Sequence, residues 1–242
     1  MAVFFISDLH LCDTRPDINR VFFEFLQGPA RDAEALYILG DLFEYWAGDD
    51  DLTDPFNRSV AAALADYSRT GIPLKFMHGN RDFLLDGEFA KACGIALLDD
   101  PHALDLFGTP TILMHGDTLC TDDVDYQRFR AQVRNPAWQK GFLALPLEAR
   151  KRQIETVRQT SESEKTRKAP EIMDVNQGAV DAALRAHAYP RLIHGHTHRP
   201  ARHVHRVDGK TCERWVLAAW YAGGSYLRCD ERGCTPVQLP RA

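Results

Sequence analysis

The stretch LIHGHTHRP, residues 192–200, carries three histidines at alternate positions, His194, His196 and His198. A single residue separates each histidine from the next, and an apolar run ends at the same point. Alternate side chains of a strand point to one face, so the three imidazoles are predicted to converge on one side. Packing alone seldom requires such a cluster, whereas a metal site does.

Four other polar motifs also follow short apolar runs. ISDLH follows VFF, GDLFEYW follows LYIL, HGNRD follows LKFM, and HGD follows TILM. In the first half of the chain the runs alternate with helical patterns at about residues 16–26 and 54–67, which predicts a layered α/β fold. In such folds ligands bind at the edge where the strands end. The five loops are therefore predicted to converge on one edge and to form one site.

Length and composition limit this prediction further. The 242 residues suffice for one large domain, with or without an inserted subdomain. The net charge of -5 gives no global attraction to nucleic acid, so we expect no nucleic-acid partner, and no obligate protein partner is evident. The apolar run at residues 1–7 is too short to span a bilayer and is predicted to be a buried strand. Six cysteines without a C-x-x-C pair predict free thiols in a reducing cytoplasm.

The five motifs contain seven side chains of the types that bind metal ions. These are Asp8, His10, Asp41, Asn80, His115, His196 and His198. We expect two divalent ions roughly 3.5–4 Å apart. The first is assigned to Asp8, His10 and His198, and the second to Asn80, His115 and His196. Asp41 is expected to bridge the two ions. Mixed imidazole, carboxylate and amide ligands without thiolates suit manganese, iron or zinc better than calcium, and we expect manganese.

Each motif taken alone has a simpler explanation. D-x-H is common in surface loops, GNRD would fit a loop in which Arg81 and Asp82 pair, and GHTH would fit a single structural metal. The joint occurrence of five motifs, each after an apolar run, favours a shared site. His194 and His78 precede the glycines of their motifs and are expected to be core or supporting residues. The remaining histidines are expected on the solvated surface: His102, His187, His203 and His205.

The ordered set D-x-H, GD, GN-R-D, HGD and GHTH, from residue 6 to about 200, resembles the calcineurin-like metallophosphoesterases. This resemblance implies an α/β fold, a four-layer α-β-β-α sandwich with a dinuclear metal site. The stretches FISDLHL, ILGDLFEYWAGDD, HGNRDFLL, MHGDTLCTDD, EIMDVN and IHGHTHRP are similar to one subgroup, the diphosphatases of lipid A biosynthesis that act on UDP-2,3-diacylglucosamine. The implied reaction yields UMP and 2,3-diacylglucosamine 1-phosphate, known as lipid X.

The same resemblance implies roles for particular residues beyond metal binding. The implied catalytic residues are Asp41, Asn80, Arg81 and His115. The implied substrate contacts are Asn80, Arg81, Asp123, Ser161, Lys165, Lys168 and His196. Residues 161–168, SESEKTRK, have no sharp motif and are matched only by their distance from EIMDVN.

Arg81 stands where related protein phosphatases carry a histidine that is thought to protonate an alkoxide leaving group. Without that acid, a leaving group that is already stable as an anion is favoured, and a sugar 1-phosphate has a second pKa of about 6. A diphosphate substrate therefore fits better than a protein phosphoester. Metal-activated water is expected to attack the UMP-side phosphorus, while Arg81 donates charge-assisted hydrogen bonds to phosphate oxygens.

Residues 122–168 are expected to form an inserted helical cap that determines specificity, with residues 1–121 and 169–242 as the core. Seven basic residues against three acidic ones occupy 150–168, and apolar side chains precede them: Trp138, Phe142, Leu143, Leu145 and Leu147. Adjacent apolar and basic surfaces suit an acylated, phosphorylated UDP-sugar and predict peripheral association with the cytoplasmic face of the inner membrane. A solvated helix face or a plain pair of core helices is the alternative.

Two other functions remain open at this point. A diphosphatase for a soluble nucleotide, such as a dinucleoside polyphosphate, would not need an apolar cap. A non-catalytic scaffold that binds a partner would be expected to lack metal ligands, and all seven are present.

Overall fold

The structure, a computed structural model, describes residues 1–165, 172–221 and 223–240, with the backbone alone for 162–165. The strands of the described residues are β1 (Val3–Ile6), β2 (Ala35–Leu39), β3 (Leu74–Met77), β4 (Ala96–Leu98), β5 (His102–Leu106), β6 (Thr109–Met114), β7 (Arg191–His194), β8 (Ala201–Val207), β9 (Lys210–Val216), β10 (Ser225–Asp230) and β11 (Gly233–Gln238). The α-helices are α1 (Pro16–Gln27), α2 (Pro55–Ser68), α3 (Gly87–Cys93), α4 (Val124–Val133), α5 (Pro136–Leu143), α6 (Leu147–Lys165) and α7 (Gln177–Ala186).

The strands form two sheets. The first has the order β11-β10-β1-β2-β3-β4, in which β1 to β4 run parallel and β10 is antiparallel to β1. The second has the order β5-β6-β7-β9-β8, in which β6, β7 and β9 run parallel. Because parallel strands end at the same edge, the loops after β1, β2, β3, β6 and β7 emerge together.

The alternation of side chains along β1 explains how the layers are built. Phe4 packs into the cluster that α1, α2 and α3 form on the outside of the first sheet, whereas Phe5 packs into the cluster between the two sheets. A strand that is buried on both faces is a continuous apolar run, as VFFI is. On the far side, Val180 and Leu184 of α7 pack against the second sheet. The predicted four-layer α-β-β-α arrangement is therefore confirmed.

Three helices, α4 to α6, follow β6 and lie between Val124 and Lys165. The base of α6 is fixed by Arg150, which is 2% exposed and donates hydrogen bonds to the carbonyl oxygen of Ala47 and to Asp50. Its neighbour Lys151 pairs with buried Asp51 at 2.6 Å. The expectation that the basic residues of 150–168 form one available surface is thus wrong for these two, because both bind the loop after β2.

Two further expectations are corrected. Cys229 and Cys234 are not free thiols, because they face each other across β10 and β11 and form a disulfide. His205 is not on the solvated surface, because β8 points it inward, where its ring contacts Gln177 and Arg214.

Among the described helices, none combines the length and the apolar composition that a bilayer span requires.

Candidate metal centre

Left-handed backbone turns direct the polar side chains at the strand ends. Five of the seven predicted ligands have a positive φ angle: Asp8 (56°), His10 (51°), Asp41 (54°), His196 (67°) and His198 (56°). Residues with a side chain rarely adopt this conformation, which costs roughly 1–3 kcal/mol each. Strain concentrated at one edge of the two sheets indicates a site that the surrounding fold holds in place.

Two glycines allow these loops to approach each other. A Cβ atom at Gly79 would overlap the carboxylate of Asp41, and one at Gly195 would overlap that of Asp8. Larger residues at these positions would displace the two carboxylates. The glycines of HGN and GHTH are therefore required by close packing of the loops.

The first group of candidate ligands consists of Asp8, His10 and His198, whose ligand atoms lie within 4.8 Å of one another. The Nε2 atoms of the two histidines are 3.4 Å apart, and His198 Nε2 is 3.3 Å from Asp8 Oδ1. The carboxylate of Asp8 is fully buried and accepts hydrogen bonds from the Ser7 hydroxyl and the backbone N–H of His196. Asp8 is thus held in position by neighbouring residues.

The second group consists of Asp41, His115 and His196, again with ligand atoms within 4.8 Å. The side-chain oxygen of Asn80 joins it, at 3.1 Å from His115 Nε2 and 2.9 Å from His196 Nδ1. Asp41 lies between the two groups. Its Oδ1 is 3.8 Å from His115 Nε2, and its Oδ2 is 3.8 Å from His10 Nε2.

The carboxylates at this edge of the sheets create a negative electrostatic field that favours the binding of cations. Burial opposes protonation of His115, but the nearby carboxylates of Asp41 and other residues outweigh it and raise the pKa of His115 to about 9. Burial and the neighbouring His115 lower the pKa of His196 to about 4, so its ring is neutral and able to bind a metal. Oxygen and imidazole donors in this field fit divalent transition-metal ions.

Supporting hydrogen bonds orient the candidate ligands. The Nδ1 atom of His115 lies 2.8 Å from the carbonyl oxygen of Leu39, which leaves Nε2 available for a metal. His194 points away from the site, with its Nδ1 near the carbonyl oxygen of Gly195 and its Nε2 near Arg214. His78 contacts the carbonyl oxygen of Leu85. Both histidines support the loops, as their positions before the glycines predict. The expectation that the three alternate imidazoles converge on one side is wrong for His194, because β7 ends at this residue and the strand alternation does not continue to His196 and His198.

Asp82 is a supporting residue whose role was not recognised from the sequence. It is fully buried and accepts hydrogen bonds from the backbone N–H groups of Leu42, Asp41 and Gly79 at 2.7, 3.3 and 2.9 Å. Burial and the neighbouring Asp41 raise the pKa of Asp82 to about 6. This carboxylate joins the loops after β2 and β3, whereas the simpler explanation of GNRD had paired it with Arg81.

A cavity with a volume of about 720 Å³ extends from the candidate ligands to the helices α4 to α6. Of the residues expected to contact substrate, those that line it are Asn80, Arg81, Asp123, Ser161 and His196. The side chain of Lys165 and all of Lys168 lie outside the described residues. Trp138 and Phe142 line the cavity among apolar neighbours, whereas Leu143 and Leu145 are partly exposed at 38% and 37%.

Known proteins resemble this chain in sequence over most or all of its length. A model of the calcineurin-like phosphoesterase family matches residues 1–200. A protein of Aromatoleum aromaticum named UDP-2,3-diacylglucosamine hydrolase is 58% identical over 239 residues, which cover 99% of this chain and 97% of that protein. Proteins with the same name from Edwardsiella ictaluri and Escherichia coli O81 are 50% and 51% identical, over 99% of this chain and over 93% and 100% of their own lengths. The chain therefore belongs to the calcineurin-like phosphoesterase family.

Proposed function

We propose that this protein hydrolyses the diphosphate bond of UDP-2,3-diacylglucosamine, releasing UMP and 2,3-diacylglucosamine 1-phosphate in lipid A biosynthesis. The observation that carries this proposal is the position of Asp41, between two groups of ligand atoms that line a largely apolar cavity. Relatives that are 50–58% identical over nearly their full length are named UDP-2,3-diacylglucosamine hydrolase, which supports the substrate of the proposal.

The metal centre of the proposal would hold two divalent ions, with manganese as the preferred metal. Asp8, His10 and His198 would bind one ion; Asn80, His115 and His196 would bind the other. Asp41 would bridge them, since each of its oxygens faces one group at 3.8 Å from a histidine nitrogen. When bound, such ions supply Lewis acidity and lower the pKa of a coordinated water.

Arg81 has the position and chemistry to bind the diphosphate. Its backbone N–H donates to Asp41 Oδ1 at 2.8 Å, and its side chain lines the cavity beside the candidate ligands. A guanidinium stays charged and cannot release a proton to a leaving group. This favours a leaving group that is stable as an anion, and a sugar 1-phosphate meets that requirement.

The helices α4 to α6 would serve as the specificity cap of the proposal, residues 122–168. The cavity as a whole is largely apolar, and α4 and α5 contribute Phe129, Val133, Trp138 and Phe142 to it. Contact with acyl chains would remove this surface from water, which stabilises the complex by roughly 25 cal/mol for each Å² of apolar surface buried. A soluble dinucleoside polyphosphate would leave the apolar wall unfilled, and a scaffold without activity would not require strained turns at five ligand positions.

The proposal includes peripheral association with the cytoplasmic face of the inner membrane. Five of the nine exposed large hydrophobic side chains among the described residues occur between Val124 and Val157. Val124, Leu143 and Leu145 of this set do not line the cavity and are available to a lipid surface. Such contact would bring the cap close to a substrate that resides in the bilayer.

The direct test uses purified protein, Mn²⁺ and three substrates: UDP-2,3-diacylglucosamine, UDP-N-acetylglucosamine, which lacks the long acyl chains, and diadenosine tetraphosphate. We expect UMP and the diacyl sugar phosphate from the first, with kcat/KM at least about 100-fold above the other two, because several buried methylenes contribute about 0.8 kcal/mol each. Faster cleavage of diadenosine tetraphosphate would replace the proposal with the nucleotide hydrolase. Absence of any cleavage with both metals bound would favour the scaffold.

A further inference from the structure

Glu44 lies between a candidate metal ligand and the helices of the proposed cap. It follows β2 in GDLFEYW, and its side chain is 15% exposed. Its Oε2 is 3.3 Å from His10 Nδ1, and its Oε1 is 2.7 Å from Arg158 Nη2 on α6. The two oxygens of one carboxylate thus contact elements that are far apart in the sequence.

The two nitrogens of the His10 ring face different groups: one faces the candidate metal ligands and the other faces Glu44. Its Nε2 faces the ligand cluster, 3.4 Å from His198 Nε2 and 3.8 Å from Asp41 Oδ2. Its Nδ1 is buried and has no hydrogen-bond partner among the described residues, and the carboxylate of Glu44, with Oε2 at 3.3 Å, is its ion-pair partner. A histidine that binds metal through Nε2 carries its proton on Nδ1, and a carboxylate there fixes the tautomer and the ring orientation.

Arg158 connects this carboxylate to the cap. Besides Glu44, the guanidinium contacts Glu155 at 3.0 Å and lies 5.7 Å from the centre of the Tyr45 ring. Glu155 is half exposed to solvent, whereas Glu44 is largely enclosed. Of the two carboxylates on Arg158, only Glu44 also touches a candidate ligand.

We propose that Glu44 is a positioning residue that orients His10 for metal binding and, through Arg158, couples the seating of helix α6 to the geometry of the metal position formed by Asp8, His10 and His198. The inference rests on the proposed metal centre. In a purely structural alternative, Glu44 only pairs with Arg158 to hold the cap, and the metal affinity does not depend on it.

The experiment measures stepwise Co²⁺ binding to metal-free protein without substrate, by calorimetry and by the visible absorption of bound Co²⁺. We expect Glu44→Ala to weaken one of the two binding steps by about 10–100-fold, the usual effect of losing such a partner. Glu44→Gln should recover part of the affinity, because its amide oxygen still accepts a hydrogen bond. The matched control is Glu155→Ala, which removes the other carboxylate from Arg158 and should leave both steps within about twofold of the parent.

Coupling to the cap is tested with Arg158→Ala and the double variant Glu44→Ala/Arg158→Ala. We expect Arg158→Ala to weaken the same step several-fold, and the double variant to bind no more weakly than Glu44→Ala, because Arg158 acts through Glu44. Additive losses, or parent affinity in Arg158→Ala, would overturn the coupling. Thermal unfolding of each metal-free variant verifies that it is folded, and Glu44→Gln provides the measurement if Glu44→Ala is not.

Two results would separate failure of this inference from failure of the metal centre. If the parent binds two ions and Glu44→Ala binds both with unchanged affinity and absorption, the role of Glu44 is wrong while the centre stands. If the parent binds fewer than two ions, both the centre and the inference fail. Neither readout depends on the identity of the substrate.

Discussion

Asp41 differs from the other candidate ligands because its two oxygens face different groups. Each oxygen lies 3.8 Å from a histidine nitrogen of its group, and the backbone N–H of Arg81 donates to Oδ1. We therefore expect Asp41→Ala to lower kcat by more than about 10³-fold, beyond the roughly 10²–10³-fold loss that follows removal of a single stabilising contact. His198→Ala, which affects one group, is the matched control.

Metal content distinguishes the bridging role from a general loss of structure. Asp41→Ala should lose affinity for both ions, whereas His198→Ala should weaken one. Metal analysis showing two ions bound to Asp41→Ala at the parent affinity would contradict the bridge.

Removal of Arg81 tests a residue that contacts substrate without binding metal. Arg81→Ala should retain both ions and lower kcat by about 10²–10³-fold, equivalent to about 2.7–4 kcal/mol of lost charge stabilisation. Arg81→Lys should recover only part of the rate, since an ammonium cannot form two parallel hydrogen bonds to a phosphate. If Arg81→Ala turned over at the parent rate with saturating metal, Arg81 would have no catalytic role.

At the scale of the elements, the attachment of α6 depends on a buried charge. Arg150 is enclosed between the loop after β2 and its own helix, donating to carbonyl oxygens of Ala47 and Leu145 and pairing with Asp50. Arg150→Ala should lower the free energy of unfolding by about 1–3 kcal/mol, because it leaves the carbonyl oxygens of Ala47 and Leu145 without this hydrogen-bond donor. Exposed Arg152 on the same helix is the control.

Urea-induced unfolding measures both variants. Arg152→Ala should change the unfolding free energy by no more than about 0.5 kcal/mol. An equally small change in Arg150→Ala would show that the anchor contributes little and that α6 is held by its apolar contacts.

The strands β1, β2, β3, β6 and β7 were predictable because each is a local apolar run, and the candidate ligands were predictable because they follow those runs directly. What escaped prediction depends on distant partners. Asp82 is defined by backbone groups of another loop, and Glu44 by Arg158, 114 residues away. The pairing of Cys229 with Cys234 requires the register of β10 and β11, and the burial of His205 requires α7 beside β8. None of these contacts between distant parts of the chain can be derived from the spacing of residues in the sequence.

At the scale of the whole molecule, the exposed apolar side chains of the proposed cap predict contact with lipid. Leu143→Glu/Leu145→Glu should reduce cosedimentation with vesicles of phosphatidylethanolamine and phosphatidylglycerol several-fold, since it replaces partly exposed apolar groups with charges that anionic lipid repels. Val204→Glu on β8 introduces one such charge at an exposed apolar site outside the cap and should have no effect. Equal loss in both variants, or none in either, would contradict docking through the cap.

The central claim is hydrolysis of the acylated UDP-sugar with attack at the UMP-side phosphorus. Leaving-group quality alone does not choose the direction, because attack on the other phosphorus would expel UMP, which is also a phosphate. The choice depends on the cap, which would hold the diacyl sugar in the apolar cavity so that the UMP-side phosphorus lies beside Asp41. Hydrolysis of UDP-2,3-diacylglucosamine in oxygen-18 water, followed by mass analysis of both products, tests this directly. The account predicts one oxygen-18 atom in UMP and none in the diacyl sugar phosphate; label in the sugar phosphate would contradict it.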